Sequence, residues 1–205
     1  MIELYTAQSS NGQRAAIALE ECGLPYRVHK LELMQGEQRT PEFLALNPAG
    51  AIPVIVDPDG PGGAPLTLSQ SGAIALYAAE KTGKFLPRDP ARRAQALQWL
   101  MYGVSDVASA SMMVFFESVL LPEKLPANLA FCEERLLRFF RVTDAHLAGR
   151  EWLAGEPSVA DFGLYPVCAV RKGMIDAAAS LPNLSRWMNV VAARPAVAKA
   201  MRAAA

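Results

Sequence analysis

From position 47 the chain reads NPAGAIPVIVD (Asn47–Asp57), crosses a turn rich in proline and glycine, and continues as LTLSQSGAI (Leu66–Ile74). The first segment places Pro53 at the entrance of an apolar strand. The second predicts a strand that passes into a helix through Gln70 and Ser71. Pro53 is compatible with a trans bond at a sheet edge or with a cis bond that turns backbone groups outward. Because helix N-termini attract anions, the stretch predicts a cleft for a peptide-like ligand with a carboxylate.

Strand and helix patterns alternate over the first part of the chain. The predicted strands are 2–5, 26–33, 53–56 and 66–68, and the predicted helices are 12–22, one that begins at Thr40-Pro41-Glu42, and 71–81. The order is therefore β-α-β-α-β-β-α. We expect the first βαβ unit to be parallel and the last two strands to form an antiparallel hairpin.

Helical signals dominate after residue 89. Asp89-Pro90 is a cap followed by a proline, and it begins a long helix that we expect to reach about Leu121. A second long helix is predicted at 129–147, a capping box at Ser158–Asp161, and two short helices near 181–187 and 194–195. We therefore predict one domain at 1–82, a linker at 83–89 and an all-helical domain at 90–205.

Composition narrows the functional classes. The 205 residues include 20 Lys+Arg and 20 Asp+Glu, and this balance argues against nucleic acid or an anionic membrane as the main partner. The three cysteines, Cys22, Cys132 and Cys168, have neither CxxC nor metal-ligand spacing, so we expect reduced, buried thiols and no metal site. We also expect no signal peptide and no apolar run that spans a bilayer, which predicts a cytoplasmic protein.

These motifs, in this order and spacing, resemble the cytosolic glutathione transferases over the whole chain. The resemblance rests on Ile52-Pro53, on Gln70-Ser71-Gly72-Ala73-Ile74, and on Trp152-Leu153 with Gly155 before Ser158-Val159-Ala160-Asp161. The opening MIELY, Asn11-Gly12, Gln38 and Pro41-Glu42-Phe43 are most similar to the bacterial nu class. The resemblance implies an α/β thioredoxin-like N-terminal domain, an all-α C-terminal domain and a homodimer. It also implies a glutathione-dependent enzyme that reduces disulfide bonds, with conjugation of an electrophile as the runner-up chemistry.

The resemblance assigns binding roles to five residues. It implies that Ile52-Pro53 is cis and pairs with the cysteinyl unit of glutathione, and that Gln70 and Ser71 hold its γ-glutamyl end. Gln38 would reach the glycyl end, although a solvated loop glutamine is an equal alternative. An N-cap without a ligand would explain Ser69 or Ser71 but not Gln70. The nu class usually has Glu at position 70, so the contact to the ammonium group of the ligand is weaker here.

The resemblance places the reactive centre in the loop Ser9-Ser10-Asn11-Gly12. No cysteine lies there, so the thiol must come from glutathione. Lowering a thiol pKa of about 8.5 by two units requires about 2.7 kcal/mol. One hydrogen bond to the thiolate supplies about 1.5–3 kcal/mol, and a helix N-terminus adds about 0.3–1 kcal/mol. Ser9 is assigned as hydroxyl donor and Asn11 as amide donor to the sulfur, with Ser10 as a rival donor and Tyr5 as an alternative.

Some features leave alternatives open. Arg14 either steers anionic glutathione or lies on the solvated face of the first helix. The nu class also uses an arginine from the partner subunit, and its place falls near Phe131, so that contact is not matched.

The alternative function is a non-catalytic transferase-like binding or regulatory module, which need not retain a thiol donor or an open cleft.

Overall fold

The computed structural model describes residues 1–178 and 180–203. The chain divides into two compact units. The first consists of residues 1–86 together with the C-terminal segment from Ala192, and the second consists of residues 87–191. The linker at 83–89 and the domain limits on either side of it stay a prediction.

The first unit contains a four-stranded mixed sheet with the order β2-β1-β3-β4. Its strands are β1 (Ile2–Thr6), β2 (Tyr26–Lys30), β3 (Val54–Asp57) and β4 (Leu66–Ser69). As predicted, β1 and β2 are parallel and β3 and β4 form an antiparallel hairpin. Strand β2 ends three residues before the predicted Leu33, because Leu33–Gln35 forms a short 3₁₀ turn instead. The thioredoxin-like architecture is confirmed.

We number the α-helices in chain order, apart from the short 3₁₀ turns. The helices are α1 (Ser10–Cys22), α2 (Pro41–Leu46), α3 (Ser71–Thr82), α4 (Pro90–Leu120), α5 (Pro126–His146), α6 (Val159–Val170), α7 (Lys172–Ala177), α8 (Pro182–Ala192) and α9 (Pro195–Ala203), with a further 3₁₀ turn at Glu37–Arg39. Helix α4 includes two π-helical stretches at Tyr102–Val107 and Phe116–Leu120.

The predicted caps are present where the sequence places them. Thr40 accepts from the amide of Phe43 at 3.4 Å, and Asp89 accepts from the amide of Arg92 at 2.9 Å. Helix α5 begins at Pro126, three residues before the predicted start, because proline is tolerated in the first turn of a helix. The short helix α7 was not predicted.

Helix α4 corrects one expectation from the sequence. By length and composition alone it is apolar enough to cross a membrane, whereas we expected no such run. One helix of this kind is weak evidence, because the core helix of a globular protein passes the same test. A third of its apolar window is buried inside the fold.

Candidate functional site

The pairing of the strands brings three loops to one end of the sheet. Val54 at the start of β3 pairs with Tyr5 near the end of β1 and with Ser69 at the end of β4. The segment after β1, the Ile52-Pro53 bond before β3 and the Gln70-Ser71 segment after β4 therefore lie at this same end. These loops contain six of the seven residues that the sequence assigned to the site.

Ser9 lies in the loop that follows β1 and is the N-cap residue of helix α1. Its backbone is extended, with φ −156°, and its Oγ accepts from the amide of Gly12 at 3.1 Å. A hydroxyl that accepts this bond still has its own proton to donate. Ser9 thus begins helix α1 and keeps one donor for another group.

Gly12 allows helix α1 to approach the sheet closely. A Cβ at this position would collide with the carbonyl oxygen of Ala7 and with Oγ1 of Thr6. Only glycine fits without movement of the backbone. This close approach holds the first turn of α1, including Asn11, over the end of β1.

Arg14 is buried completely, although a charged residue in a first helix is usually solvated. Its Nη1 donates to Oδ1 of Asn11 at 2.6 Å and to Oγ of Ser71 at 2.7 Å. The solvated-face interpretation of Arg14 is therefore wrong. The guanidinium joins the loop after β1 to the start of α3.

Gln70 adopts a backbone conformation that side chains other than glycine rarely take, with φ +71° and ψ 111°. Conformations of this kind persist where the surrounding structure enforces them, and they cluster at ligand-binding sites. Gln70 is the N-cap residue of α3 and makes no side-chain capping bond, so the interpretation of Ser69 or Ser71 as the cap is wrong. The side chain of Gln70 is exposed and that of Ser71 is buried.

The Ile52–Pro53 bond is cis, as the resemblance implied. The side chain of Asn47 braces the preceding loop by donating to the carbonyl of Ala51 at 2.6 Å and accepting from the amide of Ala49 at 3.2 Å. Ile52 packs against the buried cluster of Leu31, Phe43 and Val54. These contacts fix the backbone on both sides of the cis bond.

Gln38 lies on the 3₁₀ turn at Glu37–Arg39, beside the same loop. An added Cβ on Gly50 would lie 3.2 Å from the carbonyl oxygen of Gln38, so the two backbones are in contact. A buried side-chain oxygen usually accepts at least one hydrogen bond. Within residues 1–178 and 180–203, however, Oε1 of Gln38 is buried without a partner.

The remaining candidate groups are engaged in other contacts or are buried. Tyr5 stacks on His29 with ring centroids 4.6 Å apart, and Nε2 of His29 lies 2.6 Å from Oε2 of Glu3. All three cysteines are buried, and burial raises the pKa of each thiol. In the part of the chain that the structure describes, no group of three His, Cys, Asp or Glu side chains could hold a metal ion.

Sequence reasoning missed the role of Arg14 as a link and the positive φ of Gln70. An arginine three residues after Asn11 lies on the same face of a helix, and this spacing could have indicated the Asn11 contact. The contact with Ser71 depends on how α1 and α3 pack, and no local pattern reveals it.

Comparison with known proteins agrees with this geometry. Residues 8–81 match the family described as glutathione S-transferase, N-terminal domain, and residues 105–203 match glutathione S-transferase, C-terminal domain. The disulfide-bond oxidoreductase YfcG of Escherichia coli (strain K12) is 37% identical over 204 residues, which cover 98% of this chain and 94% of YfcG.

Two solved structures are also similar. A glutathione transferase from Pseudomonas putida, with one glutathione disulfide bound per subunit, has a TM-score of 0.92 at 35% identity and covers 98% of this chain and 90% of its own. A glutathione transferase family member from Pseudomonas fluorescens pf-5, with two glutathione bound, has a TM-score of 0.91 at 36% identity, with coverage of 98% and 92%.

Proposed function

The chain belongs to the glutathione S-transferase family and is a glutathione-dependent enzyme, and from this premise we propose that it reduces disulfide bonds with the thiolate of bound glutathione. The observation that supports this most is the pairing of Val54 with both Tyr5 and Ser69. It collects a hydroxyl donor, a cis-proline segment and a helix N-terminus at one end of the sheet, and these suit the three parts of the tripeptide.

The cis-proline segment suits the middle of the ligand. An extended peptide can pair with the backbone of Ile52 in the way that a strand is added to a sheet. The γ-glutamyl carboxylate fits the start of α3, where Ser71 offers its hydroxyl and an amide at the positive end of the helix dipole. We assign Gln38 to the glycyl end, which its amide group would contact.

The loop after β1 supplies the activation of the thiol. The Oγ of Ser9 accepts from the amide of Gly12, and this bond leaves the hydroxyl proton of Ser9 available for the sulfur. Asn11 lies in the first turn of α1, so an anionic sulfur there is also stabilised by the N-terminus of that helix. These residues favour thiolate over thiol without a charged group in direct contact.

The reaction is thiol–disulfide exchange in two steps. The glutathione thiolate attacks one sulfur of the disulfide, a new S–S bond forms, the old S–S bond breaks, and the released thiolate takes a proton. A second glutathione then attacks the mixed disulfide, releases the second thiol and leaves glutathione disulfide. The forms of glutathione bound in the two Pseudomonas structures are the reactant and the product of such a cycle.

The protein's own cysteines do not supply the thiol in this proposal. Cys168 is fully buried, and Cys22 and Cys132 are almost so. Burial favours the neutral thiol over the thiolate, which is the form that attacks a disulfide. Buried free cysteines and an external thiol donor fit the reducing environment of the cytoplasm, where we place the protein.

We also propose a homodimer. Large apolar side chains are exposed on the second unit, and contiguous patches of this kind mark interaction sites. They are Met101, Met112, Met113, Phe115, Phe116, Val119, Leu120, Leu121, Leu125, Phe131, Val142 and Val170. Sedimentation equilibrium of the purified protein tests this, and a monomer at micromolar concentration would overturn it.

The test of the function is turnover of a small mixed disulfide by the purified protein with glutathione, beside calorimetry with glutathione and glutathione disulfide. We expect both binding and turnover. Conjugation of an electrophile uses the same site, so a parallel conjugation assay decides which activity is greater. Absence of both glutathione binding and disulfide turnover would refute the proposal and favour a non-catalytic binding module.

A further inference from the structure

Arg14 connects the two ends of the proposed glutathione site from within the fold. The side chain is fully buried, and a single nitrogen, Nη1, donates to both Oδ1 of Asn11 and Oγ of Ser71. Asn11 belongs to the segment proposed to face the sulfur, and Ser71 belongs to the segment proposed to face the γ-glutamyl carboxylate. These two segments are separated by more than fifty residues in sequence.

The chemistry of the guanidinium decides how both partners are oriented. Arginine donates and never accepts, so the atom of Asn11 that faces it must be the oxygen Oδ1. The amide nitrogen Nδ2 then lies on the opposite branch of the side chain, away from Arg14. Likewise, the oxygen of Ser71 accepts from Arg14, so its own proton is left for another acceptor.

On the premise of the proposed function, we propose that Arg14 is a positioning residue that presents Asn11 and Ser71 as hydrogen-bond donors to glutathione. The opposite orientation of Asn11 would turn a carbonyl oxygen toward an anionic sulfur and repel it. One buried cation thereby sets the donors at the thiolate and at the γ-glutamyl carboxylate together.

The charge of Arg14 strengthens both contacts. Burial lowers the pKa of the guanidinium to about 10, which leaves it protonated at neutral pH. Hydrogen bonds from a charged donor are shorter and stronger than neutral ones, and they polarise the group that accepts them. Asn11 and Ser71 are therefore better donors than the same side chains would be without Arg14.

The experiment compares Arg14→Met with wild type using two ligands. The pKa of the thiol of bound glutathione is followed by the ultraviolet absorbance of the thiolate across a pH series. The affinity for S-methylglutathione, which has no free thiol, reports on the γ-glutamyl end without a contribution from the thiolate. We expect Arg14→Met to raise the bound thiol pKa by about one unit and to weaken S-methylglutathione about tenfold.

Two further variants sharpen the result. The ammonium of Arg14→Lys keeps the positive charge and can donate to the acceptors of Nη1, so we expect it to lie closer to wild type than Arg14→Met on both readouts. Arg171→Met is the matched control, because Arg171 is a half-buried arginine that donates to Ser111 in the second unit. It should change neither readout.

The outcomes separate this proposal from the proposed function. If wild type binds and ionises glutathione while Arg14→Met leaves either readout unchanged, the positioning role is wrong and the function stands. The same holds if Arg14→Lys is as impaired as Arg14→Met. If wild type itself does not bind glutathione, the proposed function has failed first, and the role of Arg14 fails with it.

A double-mutant cycle keeps the proposal testable if Arg14→Met does not fold. Asn11→Ala, Ser71→Ala and the double variant retain Arg14 and are measured by the affinity for glutathione and by chemical unfolding. Residues that share one partner are non-additive, so we expect the double variant to differ from the sum of the single effects by about twofold or more. Strict additivity in both measurements would overturn the link through Arg14.

Discussion

Trp187 donates from Nε1 to Oδ1 of Asp161 at 2.9 Å, and both side chains are completely buried in the second unit. The same carboxylate also accepts from the amides of Leu153 at 3.1 Å and Ser158 at 3.0 Å. One side chain therefore connects the start of α6 with the loop before it, through Leu153, and with helix α8, through Trp187. The capping box that the sequence indicated therefore also holds helix α8 through a buried hydrogen bond.

Asp161→Ala should destabilise the fold severely. It removes the acceptor for three buried N–H groups, and each unsatisfied buried donor costs about 1–3 kcal/mol. We expect a loss of at least about 3 kcal/mol in the free energy of unfolding, measured in urea. Asp176→Ala is the control, since Asp176 forms an exposed pair with Lys172, and we expect a change of less than about 0.5 kcal/mol. Equal effects of the two variants would contradict the central role of Asp161.

The same carboxyl should make stability depend on pH. Burial raises the pKa of Asp161 to about 6 from its ordinary 3.8, although the hydrogen bonds from Trp187, Leu153 and Ser158 oppose this. Between these values the folded protein holds a proton that the unfolded chain has lost. Linkage then requires the free energy of unfolding to fall as pH rises through this window.

Asp161→Asn isolates this effect because it cannot titrate. We expect the stability of wild type relative to Asp161→Asn to decrease from about pH 4 to about pH 6 in parallel urea titrations. Asp176→Asn, measured in the same series, gives the baseline for an exposed carboxylate. A relative stability that does not fall over this range would show that the pKa of Asp161 is not raised.

The sequence predicted the features that depend on neighbouring residues. The caps at Thr40, Asp89 and Ser158 were predictable because each side chain bonds to a backbone amide two or three residues away. The burial of Arg14 was not, since its bond to Ser71 exists only once α1 has packed against α3. Without knowledge of a distant partner, a charged residue in a helix is predicted to be exposed to solvent.

The conformation of Gln70 shows the same limit at the backbone. Glutamine has no preference for positive φ, so neither propensity nor spacing predicts the value found here. The segment could be predicted as a helix start, but its geometry is set by the hairpin before it and by α3 after it. The position of this helix start was thus open to prediction from sequence, while the backbone conformation of Gln70 was not.

Ser9→Ala should impair thiol activation and weaken the start of α1. We expect the pKa of the bound glutathione thiol to rise by about one unit, because a donor to the thiolate is lost. Loss of the N-cap should also cost about 1 kcal/mol in the free energy of unfolding. Ser9→Thr retains both the hydroxyl and the cap, so both quantities should stay close to wild type.

Ser10→Ala decides between the two rival donors. Ser10 is the first residue of α1 and should be replaceable with little effect on the thiol pKa. If Ser10→Ala raises that pKa and Ser9→Ala does not, the donor role passes to Ser10. The pH titration of thiolate absorbance serves for both variants.

Replacing all three cysteines should leave the activity nearly unchanged. Alanine is the suitable substitute, because a serine hydroxyl at these buried positions would lack solvent and cost free energy. We expect disulfide turnover per folded protein within about twofold of wild type, since buried neutral thiols do not attack disulfides. A thiol reagent should label the native protein slowly and the unfolded protein fully. A tenfold loss of turnover in a folded triple variant would assign the chemistry to a protein thiol.

Two substitutions of Gln70 separate the contribution of its side chain to ligand binding from the cost of its backbone conformation. Both Gln70→Gly and Gln70→Ala remove the side chain, so we expect either variant to weaken glutathione about tenfold in calorimetry. They differ in the backbone, because glycine adopts φ +71° freely and alanine does not. Gln70→Gly should therefore be more stable than Gln70→Ala by about 1 kcal/mol in chemical unfolding.

Gln70→Glu tests the contact to the ammonium group of the ligand. The carboxylate would convert a neutral hydrogen bond into a charge-assisted one, so we expect about threefold to tenfold tighter binding of glutathione. The gain should vanish for an N-acetylated glutathione, which has no ammonium group, and should shrink at high salt because exposed charges are screened. An equal gain for both ligands would place the γ-glutamyl end away from Gln70. Substitutions of Gln70 would then act on binding only through the backbone conformation of the turn.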